Sequence, residues 1–160
     1  MTPPTLHTGS HGPHVRRLQR ILVMIKLLGF DEIDGAFGSK TKAAVESFQE
    51  GEGLTVDGIV GPQTWAALPA APDTPLLKRG SHGAAVTALQ HGLRTYGGAG
   101  SPTDPGAIDG DFGPNTEPAV KAYQGERGVA ADGIVGDRTW WVPAGAAGAT
   151  LASLAGRTTV

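Results

Sequence analysis

The sequence predicts a mainly α-helical protein made of two tandem three-helix bundles. Three observations predict it: one residue pattern occurs twice, its apolar positions keep helical spacing, and its glycines and prolines fall between the helical stretches. A chain of 160 residues suits one ordinary domain or two small ones, so the repeat decides the number. Gly9-Ser10-His11-Gly12 with Val15, Leu18 and Gln19 returns as Gly80-Ser81-His82-Gly83 with Val86, Leu89 and Gln90, an offset of 71. Ile33-Asp34-Gly35-Ala36-Phe37-Gly38 with Thr41, Ala44, Val45 and Gln49 returns as Ile108-Asp109-Gly110-Asp111-Phe112-Gly113 with Thr116, Ala119, Val120 and Gln124, now at 75. The block Asp57-Gly58-Ile59-Val60-Gly61 with Thr64-Trp65 keeps that second offset as Asp132-Gly133-Ile134-Val135-Gly136 with Thr139-Trp140. The change of offset puts a four-residue insertion in the second copy, within 97–106, where a loop tolerates it and a helix does not.

The first helix of each copy is read from Val15, Leu18, Leu22 and Ile25, whose 3, 4, 3 spacing stacks them on one face. Pro13 fits its first turn, Ser10 stands where a cap is expected, and Gly29 offers an end. Ile21, Val23 and Met24 add apolar surface off that stripe. The second helix runs from about Lys40 to Glu50 with Thr41, Ala44, Val45 and Phe48 inward. Its counterpart contains Pro118, tolerable only in a first turn, which sets its start near Asn115. A short third helix begins near Pro62 and Gln63 and carries Trp65 and Leu68. Asp-Gly turns separate the helices, because glycine accepts the positive φ a tight turn demands and aspartate bonds back to the backbone. No sheet is expected. In the second copy Pro143 interrupts helix three, and Ala149 to Ala155, with Leu151 and Leu154 three apart, suggest a replacement helix. The expected division is a first domain over 1–69, a proline-rich linker over 70–77, a second domain over 78–143 and an Ala/Gly-rich tail over 144–160.

Composition excludes more than it assigns. Thirteen Lys+Arg against 15 Asp+Glu leave a net charge of -2 with no run of like charges, which argues against nucleic acid as a partner. The longest apolar run, Ile21 to Ile25, is far short of the roughly 18 residues a membrane span needs, so no membrane role is expected. Without cysteine there is no disulfide framework and no thiolate metal site. The first residues show neither a basic nor an apolar signal region.

Both copies resemble the peptidoglycan-binding domain family known as PGBD-like. Its pattern is a Gly-rich start, V-x-x-L-Q, D-G-x-F-G-x-x-T-x-x-A-V, an aromatic followed by Q, and D-G-I-V-G-x-x-T-W; the second copy carries Tyr123 where the first has Phe48. The resemblance covers about four-fifths of the chain. It implies three-helix peptidoglycan-binding-domain-like bundles that attach to the bacterial cell wall, an extracellular or wall location, glycan strand or stem peptide as partner, and a cell-wall enzyme as a further partner. A monomer is expected.

The remaining sequence offers no enzyme and no cofactor. His7, His11 and His14 lie close together, but no H-E-x-x-H or paired Cys/His spacing supports zinc. Asp109 to Asn115 fails the calcium-loop template, since its third acidic position is Gly113. The repeated pairs Asp34 with Asp57 and Asp109 with Asp132 all precede glycine in turns, which explains them without glycosidase chemistry. Binding is left. A wall polymer offers sugar faces, amides and carboxylates, so a groove with an aromatic floor and polar edges suits it. The candidate ligand contacts are Phe37, Thr41, Gln49 and Trp65 in the first copy and Phe112, Thr116, Gln124 and Trp140 in the second, with the core as the competing place for the aromatics. Trp141, which has no counterpart, is expected to be exposed; Arg16, Arg17, Lys40 and Arg138 are the cations available to stem-peptide carboxylates.

Overall fold

The computed structural model describes residues 3–72, 74–145 and 149–157. Its helices in chain order are α1 (Pro13–Met24), α2 (Ser39–Gly51), α3 (Pro62–Ala67), α4 (Ala84–Gly97), α5 (Thr116–Arg127), α6 (Asp137–Trp141) and α7 (Leu151–Leu154), with a 3-10 turn at Phe30–Glu32. No strand occurs among the described residues. The chain divides into two compact units, the first ending at Pro72 and the second running from Asp73 to Thr158.

In unit 1 the apolar face of α1, Val15, Leu18, Ile21 and Leu22, meets Ala44, Val45 and Phe48 of α2, with Leu6, Phe37, Val60 and Leu68 closing the core. Ile21, off the predicted stripe, is therefore a core residue. Proline occupies the first turn of α1 and of α3, where its missing N–H costs nothing. Ser10 does not cap α1; its hydroxyl accepts from the His7 N–H at 3.1 Å and closes a tight turn before the helix. The helix also stops before Gly29, because Lys26 adopts a left-handed φ of 68° just beyond its end. The residues ahead of α1 run alongside both Asp-Gly turns, pairing Leu6 with Val60 and His11 with Ala36. Leu77 with Val135 and His82 with Asp111 repeat this in unit 2.

Residues 74–77, expected as linker, are part of unit 2. Leu77 exchanges both backbone bonds with Val135, at 3.1 and 2.7 Å, and the Pro75 carbonyl accepts from Trp140 Nε1 at 2.8 Å. Pro118 sits in the first turn of α5, whose N-cap is Asn115. The inserted loop is organised by the Asp104 carboxylate, which accepts from Arg94 Nε at 3.1 Å, Gly100 N at 2.7 Å and Gly106 N at 3.0 Å.

The tail residues 144–145 and 149–157 also belong to unit 2. A reciprocal capping box between Thr150 and Ser153 starts α7, and Leu151 and Ala152 are fully buried where it packs on α4 and α6. Gly92 allows this approach: a Cβ there would stand 3.1 Å from Ala155 and 3.2 Å from Leu151. The equivalent of Gly92 in α1 is Ile21, which fills its own core. Leu151→Ala is expected to destabilise unit 2 by about 2–5 kcal/mol, the usual cost of such a core truncation. Amide hydrogen exchange would check it, faster in α4 and α5 with α1 and α2 unchanged; equal protection in both units would refute the role given to α7.

Candidate functional site

The polar centre of each unit is built from glutamines. Gln19 of α1 donates from Nε2 to Asp34 Oδ1 at 3.1 Å, the Ala36 carbonyl at 3.0 Å and Thr41 Oγ1 at 3.1 Å. Its Oε1 accepts from the N–H groups of Asp34 at 3.1 Å and Gly35 at 2.8 Å. Gln49 of α2 repeats the arrangement on the next turn, reaching Asp57 Oδ1 (3.0 Å), the Ile59 carbonyl (2.9 Å) and Thr64 Oγ1 (3.2 Å), and accepting from Asp57 N (3.2 Å) and Gly58 N (3.0 Å). Gln90 holds Asp109, Asp111 and Thr116, and Gln124 holds Asp132, Ile134 and Thr139, in the same way. Each clamp thus joins one helix to an Asp-Gly turn and to the threonine of the helix after it.

This recurrence within a copy was readable in the sequence. Both turns of a copy read D-G, two residues, G, two residues, T, and both answer to an upstream glutamine. The signal assigns Gln19, Gln90, Thr64 and Thr139 to the same device as Gln49, Gln124, Thr41 and Thr116. The last four, expected as ligand contacts, are buried with their polar atoms engaged; Gln49 is 1% exposed.

The aromatic floor is likewise inside. Phe37 and Phe112 are buried because the bonds from Gly9 N to the Phe37 carbonyl and from Gly80 N to that of Phe112, both 3.0 Å, fix the turn with the ring inward. Trp140 is fully buried, and Trp141, expected to be exposed, is only 3% exposed because the chain turns back and α7 packs on α6. Of the nine candidates Trp65 alone retains a partly open ring. Its Nε1 donates to the Pro4 carbonyl at 2.9 Å, and the Arg17 guanidinium lies 5.3 Å from its ring centre.

Open clefts lie elsewhere. In unit 1 a cleft of about 340 Å³ runs between the end of α1, the 3-10 turn and α2, with Leu27, Leu28, Ala43 and Ala44 as apolar walls and Asp31, Glu32, Lys40 and Ser47 as polar edges. Leu27 is 38% exposed there, and the Lys40 ammonium, whose side chain is 74% exposed, pairs with Glu32 at 3.0 Å. A second hollow of about 390 Å³ surrounds the Asp57 turn, lined by Leu54, Thr55, Ile59, Pro62 and Gln63. In unit 2 a smaller one of about 150 Å³ lies against Pro105, Asp109, Asp111, Pro114 and Asn115. No group of three or more His, Cys, Asp or Glu side chains suited to a metal ion occurs among the described residues.

Comparison with known proteins places this geometry among relatives. The family model described as "Putative peptidoglycan binding domain" matches twice, over residues 11–68 and 82–141. A "Probable N-acetylmuramoyl-L-alanine amidase" of Bacillus licheniformis is 37% identical over 84% of this chain and 43% of its own length. The N-acetylmuramoyl-L-alanine amidase CwlM of Mycobacterium tuberculosis is 33% identical over 84% of this chain and 36% of its own. The chain therefore spans less than half the length of these relatives. Among solved structures, the SleB N-terminal domain is 34% identical over 40% of this chain and 86% of its own, with a TM-score of 0.38.

Two predictions come from the clamps. Gln124→Ala leaves Gly133 N without its acceptor, takes one donor each from the Ile134 carbonyl and the Asp132 carboxylate, and is expected to cost about 3 kcal/mol or more, read as a lower denaturation midpoint of unit 2. The second concerns acid. Asp34 and Asp57 are held below the ordinary carboxylate range by the N–H of Ala36 and Ile59 and then by their glutamines. Asp109 is lowered by Gln90 and then the Asp111 N–H, and Asp104 by the N–H groups of Gly100 and Gly106. A depressed folded pKa adds stability that is present above the unfolded value and is lost as pH falls through the folded one. The thermal midpoint is accordingly expected to stay level above about pH 5 and to fall below about pH 4, and a midpoint independent of pH down to about 2 would contradict it.

Proposed function

The chain belongs to the peptidoglycan-binding domain family in both of its units, and from that premise we propose that it binds bacterial cell-wall peptidoglycan without cutting it. The double family match over 11–68 and 82–141 is the observation that carries this reading. The cleft of unit 1 supports it: apolar walls from Leu27 and Leu28 suit the methyl groups of acetamides and alanines, Ser47 offers a hydroxyl, and Lys40 at the rim suits a stem-peptide carboxylate. Trp65 with Arg17 over its ring adds an aromatic and cationic edge on unit 1. The proposed site of action is the cell wall, in keeping with relatives that are named N-acetylmuramoyl-L-alanine amidases. Because those relatives match over less than half of their length, the role extends naturally to holding a wall-cleaving activity on its substrate.

The test is sedimentation with purified sacculi. The chain is expected to pellet at moderate salt and to release no muropeptides; a chain that stays in the supernatant while an established wall binder pellets would overturn the reading. Lys40→Ala and Arg17→Ala are each expected to weaken the association about three- to tenfold, the worth of one charge-assisted contact, with the fold unchanged by circular dichroism. Association indifferent to both would remove unit 1's two cationic edges from the site.

A further inference from the structure

The sequence contains four Asp-Gly dipeptides, at 34–35, 57–58, 109–110 and 132–133, and no Asn-Gly. All four are the clamped turns. Among aspartyl dipeptides Asp-Gly is the most prone to rearrange, since glycine places no side chain in the way. The glycine nitrogen, having lost its proton to solvent base, attacks Cγ of the aspartate. The carboxyl reacts in its protonated form, its hydroxyl leaves as water with the proton that the nitrogen gave up, and a five-membered succinimide remains. One water then opens the ring at the main-chain carbonyl, so the backbone runs through Cβ and Cγ and the former α-carboxylate becomes the side group. Nothing is oxidised or reduced and the final mass is unchanged, but a methylene has entered the main chain of the turn.

We propose that these four bonds are latent sites of self-modification to isoaspartate, and that the glutamine clamps hold them shut. Three features of each clamp oppose the reaction. The glycine N–H that must lose its proton donates to a glutamine Oε1, at 2.8 Å for Gly35 and 3.0 Å for Gly58, Gly110 and Gly133, so the amide anion would face an oxygen lone pair. The aspartate carboxylate, whose Cγ must approach that nitrogen, is instead held at Oδ1 by the glutamine Nε2 and by the N–H two residues on, at 2.9 Å from Ala36, Ile59 and Ile134 and 3.0 Å from Asp111. The turn itself is locked, each glycine having a left-handed φ between 70° and 77°. Rearrangement then requires local opening, and its rate is the unfolded-chain rate multiplied by the open fraction. The inference stands apart from wall binding and holds whatever the ligand is.

The experiment ages the full chain at neutral pH and body temperature, folded and in urea, and counts isoaspartate at each site by peptide mapping. Folded sites are expected to accumulate it at least about tenfold more slowly than the same sites in urea, because the open fraction is small. Gln19→Leu then separates the clamp from the fold: isoaspartate is expected to rise at Asp34 by a clearly larger factor than at Asp57, which Gln49 still holds in the same unit. Folded rates equal to those in urea, an unchanged Asp34 in the variant, or a parallel rise at Asp57 that assigns protection to the fold as a whole, would each overturn the proposal.

Discussion

A primary carboxamide is the group on which both units depend. It carries two N–H donors and an acceptor oxygen with two lone pairs, and no charge. At Gln49 this inventory meets a carboxylate, a carbonyl, a hydroxyl and two backbone N–H groups within 3.2 Å. Glutamate in that place lacks the donors and sets a second negative charge beside Asp57, whereas asparagine is one methylene too short to reach from the helix. Burying a neutral group that is fully partnered avoids the desolvation cost of an ion, which a small unit with a thin core is poorly able to offset. In the absence of strands, the clamps supply the cross-connections that a ladder gives a sheet protein, one between α1 and the first turn and one between α2 and the second.

The four clamps are nearly identical, so the difference between the units comes from what closes the helices around them. In α1, Arg17 and Ile21 occupy two successive turns of one face, the isoleucine buried and the arginine lying over Trp65. Their counterparts in α4 are Ala88 and Gly92, small enough for α7 to seat Leu151 and Ala155 against the helix. Trp65 stays partly open under a guanidinium while Trp140 is fully enclosed, although both anchor the segment ahead of their unit through the same Nε1 bond. Tyr123, Arg127 and Trp141 stand where unit 1 has Phe48, Glu52 and Ala66; the Tyr123 hydroxyl and Trp141 Nε1 are both buried, the indole N–H without a hydrogen-bond partner among the described residues. Burial pushes the Tyr123 phenol upward, consistent with a hydroxyl kept neutral against the core.

Much of this architecture was legible in the sequence because it is carried by periodicity and punctuation. The 3, 4, 3 spacing of Val15, Leu18, Leu22 and Ile25 located α1, Pro118 fixed the start of α5, and Leu151 with Leu154 marked α7. The misread positions are those where a residue type serves two purposes. Gln49 and Thr41 suit a ligand and suit a turn equally well by chemistry, and only the spacing shared with Gln19 and Thr64 favours the turn. Trp141 looked exposed because it lacks a counterpart, yet an unmatched residue is also what a rebuilt core requires, and α7 brings that core. Residues 74–77 looked like linker because prolines bound them, while the pairing of Leu77 with Val135 lies almost 60 residues away and leaves no local trace. The clefts were illegible for a related reason: they arise where α1, the 3-10 turn and α2 diverge, at positions that no repeat marks.

The residues that identify the family are therefore scaffold, and what differs between the units lies at unrepeated positions around it. Where unit 1 has Lys40 at the head of α2, unit 2 has Asn115; where the first turn carries Ala36, the second carries Asp111; and a cleft of about 340 Å³ lies in unit 1 while a hollow of about 150 Å³ lies beside the inserted loop of unit 2. The cleft of unit 1 is edged by Lys40 beside Asp31 and Glu32, the hollow of unit 2 by Asp109 and Asp111. Avidity from two identical modules requires both to accept the same unit of the ligand. The two units thus share one scaffold and differ in the side chains that edge their hollows, so duplication here repeats the clamps without repeating the surface around them.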